Sequence, residues 1–249
     1  MSSPSWPVVP ALLVAVLVVV LTTSGCAVWR IGQARELAQR SEPLQHTPAN
    51  AARRLLIVGD STGVGTGASA PQASLAGLLA RAYPRLQIDN RSRDGATFAD
   101  VIGQLESATD RYDLVLVQAG GNDVIRLRSM DRVRADIDRV AALARARADH
   151  VLLMPAGNVG NAPFFFPPVT WLMTARARSL HGFVREAAAR HQAVYVNLFK
   201  ERENDPFAQQ PGLHAADGLH PSDAGYRVWF DELMAQGRLE PLLAPAKAP

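Results

Sequence analysis

Ser61, Asp217 and His220 are the residues of this 249-residue chain whose types and spacing can do chemistry together. A serine hydroxyl is a poor nucleophile until a base takes its proton. Among the six histidines, His220 is the best candidate for that base, because Asp217 stands three residues before it. At that spacing a turn can bring the carboxylate to the imidazole Nδ1, fixing the tautomer and stabilising the imidazolium that forms. Ser61 lies in "LLIVGDSTGVGTG" (55–67), where an apolar run ends abruptly in Gly-Asp-Ser and its hydroxyl can project from a strand-to-loop corner. A tetrahedral intermediate also needs hydrogen-bond donors. The candidates are the backbone N–H groups of Ser61 and Gly95 and the side-chain amide of Asn122, each donor being worth about 2.7–4 kcal/mol in the transition state.

The elements that must position these groups follow from residue 53 onward. Short apolar runs ("RLLIVGD", "RLQIDN", "YDLVLVQAGGND", "HVLLMPAGN", "AVYVNLF") alternate with longer amphipathic stretches ("ASLAGLLARAYP", "TFADVIGQLESA", "MDRVRADIDRVAALARARA", "WLMTARARSLHGFVREAAARH", "SDAGYRVWFDELMAQG"). Five strand-helix units with strands this uniformly apolar predict a parallel sheet buried on both faces. The expected fold class is α/β, a three-layer α/β/α domain over 51–240 with a five-stranded, doubly wound, flavodoxin-like sheet. In such sheets ligands bind outside the carboxyl ends of the strands. "GDS" follows the first strand, "RDG" the second and "GGND" the third, while "DGLHP" opens the last helix, so all four can meet at one edge.

The glycines after the first strand could cradle a phosphate, but Gly63, Gly65 and Gly67 form G-x-G-x-G, not G-x-G-x-x-G, and no lysine is available for a P-loop. Asp60 and Asp123 read as loop braces. His214 lacks an aspartate partner at a matching spacing, and His46, His150, His181 and His191 fall in linker or helix-end contexts expected to be solvated. "PFFFPPVTWLM" (163–173) is the most unusual apolar stretch of the domain; Phe164, Phe165 and Phe166 either line an acyl pocket, touch a membrane or simply cover the sheet.

"GDS" at 59–61, Gly95, "GGND" at 120–123 and "DGLHP" at 217–221 stand in the order of the blocks of the SGNH hydrolases, also called GDSL-type lipases and esterases, and the chain resembles that family from about Arg53 to Gly237. Thr62 stands where the eponymous motif has leucine. The resemblance implies Ser61 as nucleophile, His220 as base and Asp217 as its partner, with Ser61, Gly95 and Asn122 forming the oxyanion hole. It implies hydrolysis of carboxylic esters or thioesters without a metal or organic cofactor, on small-molecule or lipid esters. O-deacetylation of a cell-envelope glycan, or a non-catalytic envelope module that keeps the motifs, are the alternatives.

Residues 1–29 carry no charged side chain and include "WPVVPALLVAVLVVVL". A helix from Trp6 to Trp29 would be roughly 36 Å long, enough for a hydrocarbon core of about 30 Å. An uncleaved anchor, a cleaved signal, or a lipoprotein signal processed at Cys26 are all compatible with it. Residues 30–50 read as a juxtamembrane helix or linker, and 241–249 as a disordered tail. Arg30, Arg35 and Arg40 favour a cytoplasmic domain, whereas exported relatives of the family favour the periplasmic side of a bacterial inner membrane, and the expectation leans that way. The one cysteine excludes an intrachain disulfide and a cysteine-based metal site. A net charge of +3 gives no reason to expect nucleic acid, and no specific protein partner is implied.

Overall fold

The computed structural model describes residues 8–243, except that within the first helix the side chains of 8–11, 15–16, 18–24, 26 and 27 lie outside the description. Of the expected membrane or signal segment, residues 1–7 with Trp6, and most side chains including that of Cys26, therefore lie outside the description. Among those described, no helix is long and apolar enough to cross a membrane.

Five strands, β1 (Arg53–Gly59), β2 (Leu86–Asn90), β3 (Tyr112–Gln118), β4 (Ala148–Leu153) and β5 (Val194–Tyr195), form one sheet in the order β2-β1-β3-β4-β5. All neighbours are parallel. The helices are α1 (Val8–Arg40), α2 (Ser61–Val64), α3 (Leu75–Ala82), α4 (Phe98–Ser107), α5 (Gly121–Ile125), α6 (Met130–Arg147), α7 (Val169–Arg190), α8 (Pro206–Gln209), α9 (Asp223–Gly237) and α10 (Glu240–Leu243).

The apolar run of β1 is explained by two covered faces. Leu56 and Val58 pack with α4, α6 and α7, whereas Leu55 and Ile57 pack with α3, α9 and Leu243. Side chains alternate across a strand, so a strand between two helix layers must be apolar at every position. The helices are apolar on one stripe only: α6 buries Val133, Ile137, Val140, Ala141 and Ala144, a three-and-four spacing. These layers and this strand order form the expected α/β/α sandwich. The chain leaves β1 through α3 on one face and leaves β2 through α4 on the other, so the strand order reverses between β1 and β3. That switch point is where a doubly wound sheet opens a crevice, and it is where Gly-Asp-Ser and Gly-Gly-Asn-Asp end their strands.

Three segments differ from the sequence expectation. The fifth strand is read over 193–199, but regular pairing is confined to Val194 and Tyr195. Beyond it the Gln236 side chain of α9 takes over both main-chain groups of Asn197, accepting from its N–H at 2.8 Å and donating to its carbonyl at 3.2 Å. The stretch after α1 lies along the sheet: His46 exchanges backbone hydrogen bonds with Ile88 on the β2 edge at 3.1 and 2.8 Å. At the other end, Leu243 of α10 is buried in the core, and 244–249 lie outside the described residues.

Gly59 marks how tightly β1 and β3 close at the switch point. A Cβ there would stand 1.9 Å from the Gln118 carbonyl oxygen, and the Gln104 side chain bonds both its N–H (2.7 Å) and its carbonyl (2.9 Å). Gly59→Ala is expected to cost at least about 3 kcal/mol in urea denaturation, because the obstacle is backbone and cannot rotate away. Gly103→Ala in α4, where a Cβ meets nothing within 4 Å, should instead gain about 0.5–1 kcal/mol. Equal shifts for the two variants would refute the close approach as the cause.

Candidate active site

Asp60 starts the site. Its side chain caps the short helix α2, accepting from the Thr62 backbone N–H at 2.9 Å and its hydroxyl at 2.7 Å. Burial pushes its carboxyl up to about 6, with the two Thr62 bonds pulling the other way. Asp60 thus braces the turn, as read from the sequence, and Ser61 becomes the first residue of α2. The three glycines that follow serve close approaches within the protein. Cβ atoms on Gly63, Gly65 and Gly67 would stand 2.3 Å from Ser92 Oγ, 2.4 Å from Ser74 Cβ and 2.4 Å from the Pro221 carbonyl oxygen. Each vacancy is filled by the protein's own atoms, so this is a mount for the serine and not a phosphate cradle.

The last of those approaches brings the 217–221 turn over Ser61. Asp217 Oδ1 accepts from the backbone N–H groups of Leu219 (2.9 Å) and His220 (3.1 Å), and Oδ2 faces His220 Nδ1 at 2.5 Å. Burial alone would raise the Asp217 carboxyl; the hydrogen bonds and the charge of His220 outweigh it and hold it below the ordinary carboxylate range. An ionised carboxylate only accepts, so Nδ1 carries the hydrogen and Nε2 is left as the acceptor. Ser61 Oγ lies 2.9 Å from that Nε2. Ser61, Asp217 and His220 are all buried. Tyr226 of α9 fixes the arrangement from below, donating to the Thr66 carbonyl at 2.9 Å.

The donor side comes from the two other strand ends. Gly95 takes φ +76°, and Gly120 takes φ +121° as the cap of α5. Asn122, in α5, donates one amide hydrogen to the Ala96 carbonyl at 3.1 Å, which leaves its second hydrogen for a ligand. Asp123 is buried and ties α5 to α4, accepting from the Phe98 N–H at 3.0 Å and from Arg128 at 2.7 Å. Burial raises its carboxyl despite Arg128. Ser61, Gly95, Asn122 and His220 line one cleft of about 390 Å³. Among the described residues, no group of three or more His, Cys, Asp or Glu side chains converges as metal ligands would.

Of the three phenylalanines read as a candidate pocket wall, the structure brings one to the cleft. Phe164 lines it, held by its N–H bond to the Gly218 carbonyl at 3.0 Å. Phe165 packs against the core under α7, and Phe166 lies beneath the Arg30 guanidinium, 4.6 Å from the ring centroid. Successive residues of a turning loop point in different directions, so three in a row could not share one wall.

Residues 57–228 match the model of the GDSL-like Lipase/Acylhydrolase family. The chain belongs to that family. It is 28% identical over 184 residues to the esterase TesA of Pseudomonas aeruginosa, spanning 71% of this chain and 83% of that one. The fold resembles a crystal structure of TesA with a TM-score of 0.61 at 24% identity, over 77% of this chain and all (100%) of the other. It also resembles a catalytic mutant of the acetylxylan esterase Axe2 from Geobacillus stearothermophilus, with a TM-score of 0.56 at 18% identity, over 76% and 96% of the two chains. The chain is thus an SGNH esterase, an acylhydrolase of the GDSL-like family.

Several residues of this esterase's cleft escaped sequence reading. Ile31, Ala34, Arg35 and Ala38 of α1 line it, although 30–50 reads as juxtamembrane helix or linker. Their three-and-four spacing was a signal of a helix face, but not of what the face meets. Arg126 lines the cleft as well. His214 also lines it, and burial lowers its imidazole below the ordinary histidine range. His181 corrects the expectation that it is solvated: it is 5% exposed, bonded to the Tyr195 hydroxyl (2.6 Å) and the Ala156 carbonyl (2.8 Å). Burial lowers it to about 4. The signal was present, since Ala177, Leu180, His181 and Val184 form one buried face of α7.

Proposed function

We propose that this esterase cleaves carboxylic esters or thioesters of acyl or lipid type through an acyl-enzyme on Ser61. The observation that carries the reading is the unbroken chain from Asp217 Oδ2 through both nitrogens of His220 to Ser61 Oγ, at 2.5 and 2.9 Å. His220 Nε2 takes the Ser61 proton as Oγ attacks the acyl carbon, and Asp217 stabilises the resulting imidazolium. The N–H groups of Ser61 and Gly95 and the Asn122 amide receive the oxyanion. The imidazolium then protonates the leaving oxygen or sulfur. In the second half His220 activates water, which attacks the acyl carbon, releases the acid and restores Ser61 Oγ–H.

The acyl preference is supported by the apolar walls of the cleft, among them Ile125, Val159, Phe164, Leu198, Leu219 and Trp229. The uncharged stretch 1–29 supports attachment to the bacterial inner membrane, and the resemblance to exported members of the family supports placing the esterase domain on the periplasmic side. A fluorophosphonate probe should label the wild type at Ser61 and leave Ser61→Ala unlabelled; no labelling of folded wild-type protein would remove the acyl-enzyme. Across p-nitrophenyl esters, kcat/KM should rise from acetate to medium acyl chains. A strict preference for acetate would instead favour glycan O-deacetylation, a reading that the fold likeness to an acetylxylan esterase supports. Protease accessibility in spheroplasts tests the side of the membrane, and protection of the domain would overturn the periplasmic placement.

A further inference from the structure

Two arginines line the cleft, Arg126 and Arg35. Arg126 ends α5, four residues after Asn122. Its Nη2 lies 2.9 Å from the point where a Cβ on Gly95 would stand, so the guanidinium rests against the glycine whose N–H is assigned to the oxyanion. Arg35 enters from α1 beside Ile31, Ala34 and Ala38.

Charge pairing in the cleft is lopsided. Its carboxylates are engaged by protein donors: Asp60 by Thr62, Asp94 by the Thr66 hydroxyl at 2.6 Å, and Asp205 by Asn161 at 2.7 Å and the Phe207 N–H at 3.0 Å. Neither arginine side chain has a carboxylate or carbonyl within hydrogen-bond or ion-pair distance among the described residues, although Arg126 stands near enough to Asp100 to favour its charge. Their neighbours differ: Arg128 is paired with buried Asp123, and Arg176 donates to the carbonyls of Val124 and Asp123 at 3.3 and 3.4 Å. Both residues are solvent-exposed where they line the cleft; a guanidinium fork with open donors suits the oxygens of a phosphate or carboxylate there, with an attraction that salt screens.

We propose that Arg126 and Arg35 bind an anionic group of the substrate. Because Arg126 flanks Gly95, that anion stands within a few bonds of the scissile carbonyl. The substrate class is an acyl ester with an apolar acyl chain and an anionic alcohol portion, of which an acyl glycerol phosphate is the simplest example. This rests on the reading of Ser61 and His220 as the hydrolytic machinery.

The test compares 1-hexanoylglycerol 3-phosphate with 1-hexanoylglycerol, using the full chain. Both esters are short enough to be studied as monomers, which separates recognition in the cleft from attraction of the protein to an anionic lipid surface. The wild type should favour the phosphate ester at least about tenfold in kcat/KM at low ionic strength, with the preference shrinking in 0.5 M salt to roughly a few-fold. Arg126→Gln and Arg35→Gln should each lower the ratio of the two kcat/KM values about tenfold, and Arg126→Lys should restore part of it. A wild-type ratio near one, or a ratio unmoved by both glutamine variants, overturns the proposal, including the case where both substrates slow in proportion. Fluorophosphonate labelling runs in parallel: labelled Ser61 with an unmoved ratio refutes the anion site alone, whereas unlabelled Ser61 refutes the hydrolytic reading and this inference with it.

Discussion

Ser61→Ala is expected to lower kcat on a medium-chain p-nitrophenyl ester by roughly five to six orders of magnitude, the scale seen when one member of a nucleophile-base pair is removed. No acyl-enzyme can form without Oγ, and the residual rate comes from binding and the oxyanion donors acting on water. His220→Ala should lose about as much, because the Ser61 hydroxyl then keeps its proton. The double variant should lose little more than either single one, since the two residues act as a unit. Ser61 is small, and water can replace its hydroxyl beside His220 Nε2, so the melting temperature of Ser61→Ala should stay within about 3 °C of wild type. Stopped-flow or endpoint assays on all three variants provide the check. Additive losses, or turnover retained by Ser61→Ala, would overturn the assignment.

The second large effect is expected from Asp217→Asn, roughly a 10⁴-fold loss in kcat. The substitution is nearly isosteric, and an asparagine oxygen can still accept from the Leu219 and His220 amides as Asp217 Oδ1 does at 2.9 and 3.1 Å. The turn therefore keeps its shape. What changes is the atom facing His220 Nδ1: an amide nitrogen donates, which forces the hydrogen onto Nε2 and leaves no acceptor for the Ser61 proton. The variant should keep its fluorescence-monitored fold while losing turnover, and turnover within tenfold of wild type would exclude the carboxylate from this role. The pH dependence of stability carries a second readout. The folded carboxyl sits below its ordinary value of 3.8. The unfolded chain thus takes up this proton first on acidification, and the stabilisation is complete above about pH 5 and lost as pH falls through the folded value. The stability difference between wild type and Asp217→Asn should be flat at neutral pH and shrink only in acid.

Much of the layer architecture was legible in the sequence because it depends on local, repeating chemistry. A strand covered on both faces must be apolar throughout, as Leu55–Val58 are, and a helix covered on one face must repeat at three and four residues, as Val133, Ile137 and Val140 do. Asp217 and His220 were legible for the same kind of reason, since three residues of turn suffice to join them. The short β5 was not, because just beyond it Gln236, 39 residues after Asn197, takes the Asn197 main-chain groups. His181 was misread as solvated although its helical register placed it inside. There the residue type outweighed the spacing, and burial beside Tyr195 and Ala156 shows that spacing was the better guide.

The sequence by itself pointed to the family and the sandwich fold, and it offered Ser61, His220 and Asp217 as candidate nucleophile, base and carboxylate, because short motifs and local periods recur in a recognisable order along the chain. Only the tertiary structure decided that one of the three phenylalanines faces the cleft, that α1 closes one of its walls, and that Arg126 and Arg35 line it without a hydrogen-bonded or ion-paired partner among the described residues. Those facts depend on where segments tens to more than a hundred residues apart come to rest. Nothing in local periodicity records which of an element's faces will meet a distant strand end. That choice is set by tertiary packing.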